Sequence, residues 1–288
     1  MKRVLSIQDI SCVGRCSLTV ALPILSAMGT EACPLPTAVL STHTAFRHFT
    51  FRDLTDEIEP IERAWRQEGL TFDAVASGYL GSLRQVELVK QLGHEFRELS
   101  KGGADFLQIV DPAMADNGAL YQGFSMEFVS AMTDLCREAD LILPNLTEAC
   151  FITGKEYHPD GDESYWLEIL NALADLGCRR ILLTGYSAKE GGIGAISLQV
   201  QDSGQRICRS YMNERLAGSF HGTGDIFASV VTGAMVQGAD LETAQKLAVD
   251  YTLECMRKTL ADPERRAYGV NFEQALPMLT DWQRQQRA

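Results

Sequence analysis

One short segment combines two glycines, a threonine and an aspartate, Gly222-Thr223-Gly224-Asp225, directly before an apolar run. Glycine tolerates positive φ and lets the backbone approach a ligand without a Cβ atom in the way. The backbone N–H groups of 222–224, at the start of a helix, could hold a phosphoryl group during its transfer. Asp225 could then take the proton of an attacking hydroxyl. Alternatively, Thr223 or Asp225 caps the helix, and capping and catalysis are compatible.

Oxygen-bearing side chains stand directly after two predicted strands. Asp111 and Asp116 follow one strand, and Asn145 and Glu148 follow the next strand along the chain. Carboxylate and amide oxygens suit Mg²⁺, which prefers hard oxygen ligands and often keeps several waters. The Asn145-x-x-Glu148 spacing also fits a capping box at the start of a short helix, although that motif prefers Ser or Thr at its first position. Both alternatives stay open on spacing alone.

Two further segments could contact the ring of a small molecule. The irregular stretch STHTAF contains His43 and Thr44 just past the second predicted strand, where a substrate could be gripped. The segment SGYLGS follows another strand and contains Tyr79, whose aromatic face could stack on a ring. A structural histidine and a core tyrosine are the alternatives.

The elements that must position these residues are short apolar runs alternating with amphipathic segments. Strands are predicted at 3–8, 31–41, 72–78, 106–112, 140–145 and 179–185, and a hairpin at 193–213. Helices are predicted at 17–29, 51–69, 82–103, 126–139, 162–178, 223–238, 241–260 and 272–279. This alternation predicts an α/β fold with a mostly parallel sheet covered by helices on both faces. We expect one domain over residues 1–288, with 40–53 as a candidate lid.

The carboxyl ends of the strands are where ligands bind in such a sheet. The strand at 179–183 leads into Thr184, and the predicted hairpin is followed by the segment around Asp225. We therefore expect Asp111, Asn145, Thr184 and Asp225 to converge on one cleft, although they are far apart in sequence. The P-loop pattern Gly-x4-Gly-Lys-[Ser/Thr] does not occur, and no Gly-x-Gly-x-x-Gly follows the first strand. P-loop and Rossmann nucleotide sites are therefore disfavoured.

Composition narrows the class of protein. Of 288 residues, 45% are hydrophobic and 22% charged, which indicates a folded domain rather than disorder. The net charge of −12 argues against nucleic acid as a partner, because phosphate binding requires a basic face. The sequence shows no signal-peptide pattern at its start and no apolar stretch near the ~20 residues of a membrane helix. The eight scattered cysteines suggest reduced thiols, and we expect a cytoplasmic protein.

Six segments occur in an order that resembles the pyridoxal kinase family of the ribokinase-like superfamily. They are SIQD near the start, PLPTAVLSTHT (34–44), SGYLGS (77–82), DPAMAD (111–116), PNLTE (144–148) and GTGD (222–225). The resemblance implies a ribokinase-like α/β fold with a substrate lid, and homodimers are common in the family. It implies transfer of the γ-phosphoryl group of ATP to the 5′-hydroxymethyl of pyridoxal, pyridoxamine or pyridoxine.

The resemblance also assigns roles to matching positions. Asp225 is the implied base, and Gly222, Thr223 and Gly224 form the anion hole. The implied residues for Mg²⁺ and ATP, acting directly or through water, are Asp111, Asp116 and Glu148, with Asn145, Thr184 and Tyr121 near the nucleotide. His43, Thr44 and Tyr79 are similar in position to residues that contact the ring. A requirement for a monovalent cation stays open.

One departure concerns the end of the first strand, where the family commonly has a serine and this chain has Asp9. An aspartate prefers a hydrogen-bond donor or a cation, so we hypothesise a preference for pyridoxamine or another amine-bearing ring. The related hydroxymethylpyrimidine kinases often carry an acidic or polar group near this position, and phosphorylation of that pyrimidine is the alternative function. A non-catalytic ligand-binding homologue is a third reading, and the intact Asp225 speaks against it.

Overall fold

The computed structural model describes residues 1–44, 46–100, 106–187, 191–218 and 220–287. The strands are β1 Arg3–Ser11, β2 Glu31–Leu40, β3 Phe51–Asp53, β4 Ala74–Ser77, β5 Leu107–Val110, β6 Ala115–Asp116, β7 Ala119–Leu120, β8 Leu141–Ile142, β9 Arg180–Tyr186, β10 Gly192–Val200 and β11 Arg206–Glu214. The helices are α1 Leu18–Ala27, α2 Thr55–Gln67, α3 Leu83–Leu99, α4 Met126–Glu138, α5 Leu146–Thr153, α6 Glu163–Asp175, α7 Thr223–Val236, α8 Leu241–Ala261 and α9 Leu276–Arg287.

A nine-stranded sheet organises these elements in the order β11-β10-β9-β8-β5-β4-β1-β2-β3. The six strands from β9 to β2 in this order run parallel, whereas β3 pairs antiparallel with β2 at one edge. At the other edge β10 pairs antiparallel with both β9 and β11. The predicted mostly parallel sheet and the predicted hairpin are therefore confirmed. The carboxyl ends of the six parallel strands share one edge.

Helices cover both faces of the sheet, as predicted. On one face a hydrophobic cluster joins α2 to α6 with the strands, and Trp166 is among its fully buried side chains. On the other face a second cluster contains α1, α7, α8 and α9, with Tyr251 fully buried. Neighbouring strand residues alternate between the two, so that Leu183 packs into the first cluster and Leu182 into the second. Burial on both faces explains why the central strands read as continuous apolar runs.

Two predicted helix boundaries are wrong. The helix predicted at 51–69 begins only at Thr55, because Phe51–Asp53 pairs with the edge of β2 and Asp53 Oδ1 accepts the Thr55 N–H at 2.8 Å. The segment predicted as helix 272–279 starts with a 3₁₀ turn at Phe272–Ala275 and continues as α9 to Arg287. Its second half was missed because the tail of α9 is polar. Residues 101–103 of the predicted helix 82–103 lie outside the described residues.

The connections near the carboxyl edge differ in character. Residues 41–50, the centre of the predicted lid, contain neither helix nor strand where the structure describes them, and Ala45 falls outside the description. The His43 N–H donates to the Val13 carbonyl at 2.8 Å, which joins this connection to the loop after β1. The two-stranded hairpin β6–β7, which the sequence analysis missed, follows β5. Across the described ranges, no helix is long and apolar enough to cross a membrane.

Candidate active site

A cleft of about 560 Å³ opens at the carboxyl edge of the sheet. That volume lies within the range typical of small-molecule sites. Most of the residues predicted for the site line it together: His43, Asp111, Asp116, Tyr121, Asn145, Glu148, Thr184, Gly222, Thr223, Gly224 and Asp225. Asp9, Thr44 and Tyr79 are not among the residues that line the cleft, although the charge of Asp9 acts on both His43 and Tyr79. Thr44 is exposed beside His43.

The N-terminus of α7 forms a backbone cradle. Gly222 is its N-cap residue in the left-handed region, with φ 80° and ψ 2°, and no side chain caps the helix. A Cβ at position 222 would collide with the carbonyl oxygen of Arg15. Glycine is therefore required there both by conformation and by space. Because no side chain among the described residues caps the helix start, its N–H groups and partial positive charge can serve an anion.

Asp225 lies in the first turn of α7 and is partly buried. Burial raises the pKa of Asp225 to about 6, the Ser17 N–H opposes this by donating to the carboxylate, and the charge of Asp9 adds to the rise. A carboxylate in this range is ionised at neutral pH and still basic enough to accept a proton. The alternative that Thr223 or Asp225 caps α7 is wrong, since neither side chain makes the capping hydrogen bond.

Asn145 and Glu148, which also line the cleft, form a capping box at the start of α5. Asn145 Oδ1 accepts the Glu148 N–H at 3.0 Å, and Glu148 Oε2 accepts the Asn145 N–H at 2.8 Å. Asn145 Nδ2 also donates to the Ala115 carbonyl at 2.8 Å. The capping-box alternative is therefore correct, and both side chains fix the position of the loop that leads into β6.

Buried carboxylates also line the cleft. Glu148 is 2% exposed, and its Oε1 accepts the Met114 N–H at 3.0 Å. Burial raises the pKa of Glu148 to about 7, although its backbone hydrogen bonds oppose the shift. Burial, with Glu148 and Asp225 nearby, raises the pKa of Asp111 well above its ordinary value. Such a concentration of negative charge attracts a cation.

The predicted metal ligands do not form a ready-made cage. Throughout the described ranges, no three His, Cys, Asp or Glu side chains are grouped to hold a metal ion. Asp116 is exposed, and its carboxylate accepts from the N–H and the side-chain amide of Asn117 at 2.8 and 3.0 Å. Within the described ranges Asp111 accepts a single hydrogen bond, from the Ala113 N–H at 3.2 Å, and so keeps oxygen capacity. This donor set fits Mg²⁺ that takes most of its ligands from water and phosphate.

The ring side of the cleft is built around Asp9. Asp9 is 6% exposed and accepts hydrogen bonds from the hydroxyls of Ser17 at 2.5 Å and Ser11 at 3.3 Å. Burial raises the pKa of Asp9 in spite of these bonds. Burial and the neighbouring His221, whose ring centroid is 5.7 Å away, lower the pKa of His43. A buried acid and a histidine pair thus lie near each other at this end.

Tyr79 belongs to an aromatic stack. Its ring lies 5.7 Å from that of Phe124 with an interplanar angle of 29°, and Phe124 stacks on Phe128 at 4.0 Å. The ring of Tyr121, which lines the cleft, lies 6.4 Å from Phe124. Phe124 therefore lies near the rings of both predicted site tyrosines. Burial raises the pKa of both tyrosines, so each keeps its phenolic proton at neutral pH.

Several residues of the site were missed by the sequence analysis. Ser11 and Ser17 donate to Asp9, the rings of His221 and His43 are neighbours, and Phe124 lies near both Tyr79 and Tyr121. His221 immediately precedes the glycine pair, so its position in sequence was an available signal. The serines and Phe124 carried no signal, because their roles arise from contacts between separate loops. Cys16 also lines the cleft, but burial raises the pKa of its thiol to about 12, which makes it unreactive.

Known proteins are similar to this chain in sequence and in fold. The sequence profile of the phosphomethylpyrimidine kinase family matches residues 23–268. A putative phosphomethylpyrimidine kinase from Bacteroides thetaiotaomicron, solved with pyridoxal, is 36% identical, with 96% of this chain and 95% of that chain covered and a TM-score of 0.85. Pyridoxal kinase from Lactobacillus plantarum is 29% identical, with 99% of each chain covered and a TM-score of 0.87.

A curated relative supports the same assignment. Pyridoxal kinase of Arabidopsis thaliana is 26% identical over 278 residues, covering 92% of this chain and 85% of the relative. The predicted ribokinase-like fold and the predicted phosphotransferase with an alcohol group as acceptor are both confirmed by these likenesses. The chain belongs to the family of phosphomethylpyrimidine and pyridoxal kinases, as its six motifs predicted.

Proposed function

We propose that this protein transfers the γ-phosphoryl group of ATP to the 5′-hydroxymethyl group of a pyridoxal-type ring. The observation that carries the proposal is Asp225, a partly buried carboxylate beside the uncapped N-terminus of α7, in a cleft large enough for a ring and a nucleotide. The Bacteroides relative, which was solved with pyridoxal, supports the choice of ring.

In this proposal Asp225 accepts the proton of the 5′-hydroxyl as its oxygen attacks phosphorus. The N–H groups of Gly222, Thr223 and Gly224 hold the transferring phosphoryl group, and the α7 dipole favours its charge. Both partners occupy the same helix turn, so the base and the cradle keep a fixed relation. This arrangement supplies positioning and electrostatic stabilisation, which are the main needs of phosphoryl transfer.

On the nucleotide side, Asp111, Asp116 and Glu148 would hold Mg²⁺, directly or through water. The ion would neutralise the phosphate charge of ATP. Thr184, Tyr121 and Asn145 all line the cleft, and we assign all three to nucleotide binding. Glu148 is fully engaged by backbone N–H groups, so we expect it to act through water and through its charge.

The Asp9 carboxylate supports a preference for an amine-bearing ring such as pyridoxamine. Two serine hydroxyls already hold it, and an added cation or donor would complete its hydrogen bonding. We expect His43, Thr44 and Tyr79 to contact the same ring. Replacing Asp9 by serine should lower kcat/KM for pyridoxamine more than for pyridoxal. An unchanged ratio would show that Asp9 does not select the substrate.

Hydroxymethylpyrimidine is the second candidate substrate, because the matching family profile is that of phosphomethylpyrimidine kinase. The deciding experiment measures ADP release with Mg²⁺-ATP and each of pyridoxal, pyridoxamine, pyridoxine and hydroxymethylpyrimidine. Turnover of a vitamin B6 ring at higher kcat/KM than the pyrimidine supports the proposal, and the reverse order supports the second candidate. Absence of turnover on all four would contradict both kinase proposals and favour a non-catalytic ligand-binding homologue.

The remaining predictions concern the whole protein. A homodimer, a cytoplasmic location and one domain over residues 1–288 stay predictions, and light scattering on the purified protein measures the first. The same ADP-release assay in sodium, potassium or organic-cation buffers measures any monovalent-cation requirement.

A further inference from the structure

A small cavity lies beneath the cleft, between the sheet and helices α1 and α7. Its volume is about 20 Å³, enough for one water molecule. Asp111 and Asp225, the central carboxylates of the proposed active site, both line it. Gln8 from β1 and Thr232 from α7 line it as well. Asp225 therefore lines both this cavity and the cleft.

The side chains of two buried polar residues on the cavity wall have unused hydrogen-bonding capacity. Gln8 is 7% exposed, and its Nε2 donates to Ser6 Oγ at 3.0 Å, whereas its Oε1 has no hydrogen-bond partner among the described residues. Thr232 is 2% exposed, and its hydroxyl likewise bonds to none of the residues that the structure describes. A buried polar atom without a partner destabilises the folded protein. Folded proteins normally satisfy such atoms with ordered water.

The bonding capacities of these groups match one water molecule. Gln8 Oε1 is an acceptor, the Thr232 hydroxyl can donate, and the carboxylate of Asp225 is an acceptor. A water can accept from Thr232 and donate one hydrogen to Gln8 and the other to a carboxylate. Position 232 lies seven residues after 225, so both side chains project from the same face of α7. The site thus offers polar partners and enough space for one water molecule.

We propose that this cavity holds one ordered water, anchored by Gln8 and Thr232, that donates a hydrogen bond to Asp225. Gln8 and Thr232 are then positioning residues, which act on the base through the water. The proposal rests on the proposed function, because it assigns Asp225 as the base. A donor to the carboxylate stabilises its ionised form and opposes the effect of burial.

Other groups also bear on the charge of Asp225, and they come from several elements. They are Asp9 on β1, Cys16 before α1, Asp111 after β5 and Tyr121 after β7. The ionised carboxylates among them disfavour the charged form of Asp225. Of the groups that stabilise it, the Ser17 N–H is fixed by the backbone. The water is therefore the donor that a side-chain substitution can remove.

Thr232→Val tests the proposal, because valine keeps the shape of threonine and removes the hydroxyl. We expect the acid limb of the kcat/KM profile to move up by about one pH unit, as for loss of a hydrogen bond to a charged group. Thr37→Val is the matched control: Thr37 is 1% exposed, and its hydroxyl also has no partner among the described residues, but it does not line the cavity. An acid limb that moves equally in both variants, or in neither, contradicts the proposal.

A second measurement does not depend on turnover or on the folding of a variant. A crystal structure of the wild-type protein at high resolution, grown with rubidium, should show a single oxygen peak in the cavity without anomalous signal. An empty cavity overturns the proposal. An anomalous rubidium peak also overturns it, because it would show that a monovalent cation, and not a water, occupies the cavity. Either result is independent of the proposed substrate, so failure of the water and failure of the kinase activity can be told apart.

Discussion

The N-termini of α7 and α5 both line the same cleft, and they differ in how their first N–H groups are satisfied. The α7 start has Gly222 as its N-cap and no side-chain cap. The α5 start is closed by the reciprocal hydrogen bonds of Asn145 and Glu148. The first leaves N–H groups for a ligand, and the second has already satisfied them. An uncapped helix start beside a carboxylate is suited to binding an anion during a reaction. A capped helix start is suited to stabilising the fold.

The carboxylates at the two helix starts differ accordingly. Glu148 is the third residue of its helix and bonds back to the N-cap N–H, while Asp225 occupies the same helical position and bonds instead to Ser17 on a separate loop. Asp225 is thus free to face the cleft. The same residue position therefore serves a fold-stabilising role in α5 and a catalytic role in α7 as we propose it.

The largest expected effect on activity is that of Asp225→Asn, which tests the catalytic role proposed for the α7 start. We expect kcat to fall roughly 10²–10⁴-fold with little change in KM, because the base is lost and the shape is kept. Asp240→Asn is the control, since Asp240 caps α8 by accepting the Thr243 N–H at 2.7 Å. It should leave kcat unchanged. A loss of less than about tenfold in Asp225→Asn would return that residue to a structural role.

Gly222→Ala should have the next largest effect. The new methyl group would meet the Arg15 carbonyl, so the cradle must shift and kcat should fall on the order of 10²-fold, as on loss of an anion-hole donor. Gly154→Ala is the matched control, because Gly154 has φ 68° at the end of α5 but no atom within 4 Å of an added Cβ. Both variants strain the backbone, so a similar kcat in the two would contradict the role of the cradle.

Much of the fold could be predicted from periodicity and order alone. The parallel strands, the hairpin and the main helices follow from apolar runs of characteristic length, because burial on one or both faces leaves a pattern in the sequence. Edge strand β3 and hairpin β6–β7 escaped, since they are only three and two residues long per strand. Their formation depends on main-chain hydrogen bonds to partners that the local sequence does not specify.

The sequence predicted which residues belong to the site better than it predicted the hydrogen bonds that they make. The motifs brought Asp111, Glu148 and Asp225 together because all follow strands of one sheet or enter its carboxyl edge. The motifs did not predict that the Glu148 carboxylate would bond within a capping box, or that no described side chain would cap α7. That difference depends on whether nearby loops supply donors. It also explains why Ser17, the donor to Asp225, was not singled out.

The pH dependence of activity sharpens the assignment of the base. Burial raises the pKa of Asp225 to about 6, so the carboxylate is ionised above pH 6 and protonated below it. A protonated carboxyl cannot accept the hydroxyl proton, so kcat/KM should be level above this pH and fall about tenfold per unit below it. The residual activity of Asp225→Asn should lack this limb. If the limb persists, it belongs to another group such as Glu148.

The smallest expected effect is on stability, and it tests the capping box at the start of α5. Asn145→Ala removes the cap of α5 and should lower the free energy of unfolding by about 1 kcal/mol, measured by urea denaturation. Asp162→Ala is the control, because Asp162 caps α6 by accepting the Tyr165 N–H at 3.1 Å and should cost a similar amount. Only Asn145→Ala should also raise the KM for Mg²⁺-ATP, since it releases Glu148 and the loop at Ala115. An equal KM in both variants would limit Asn145 to capping.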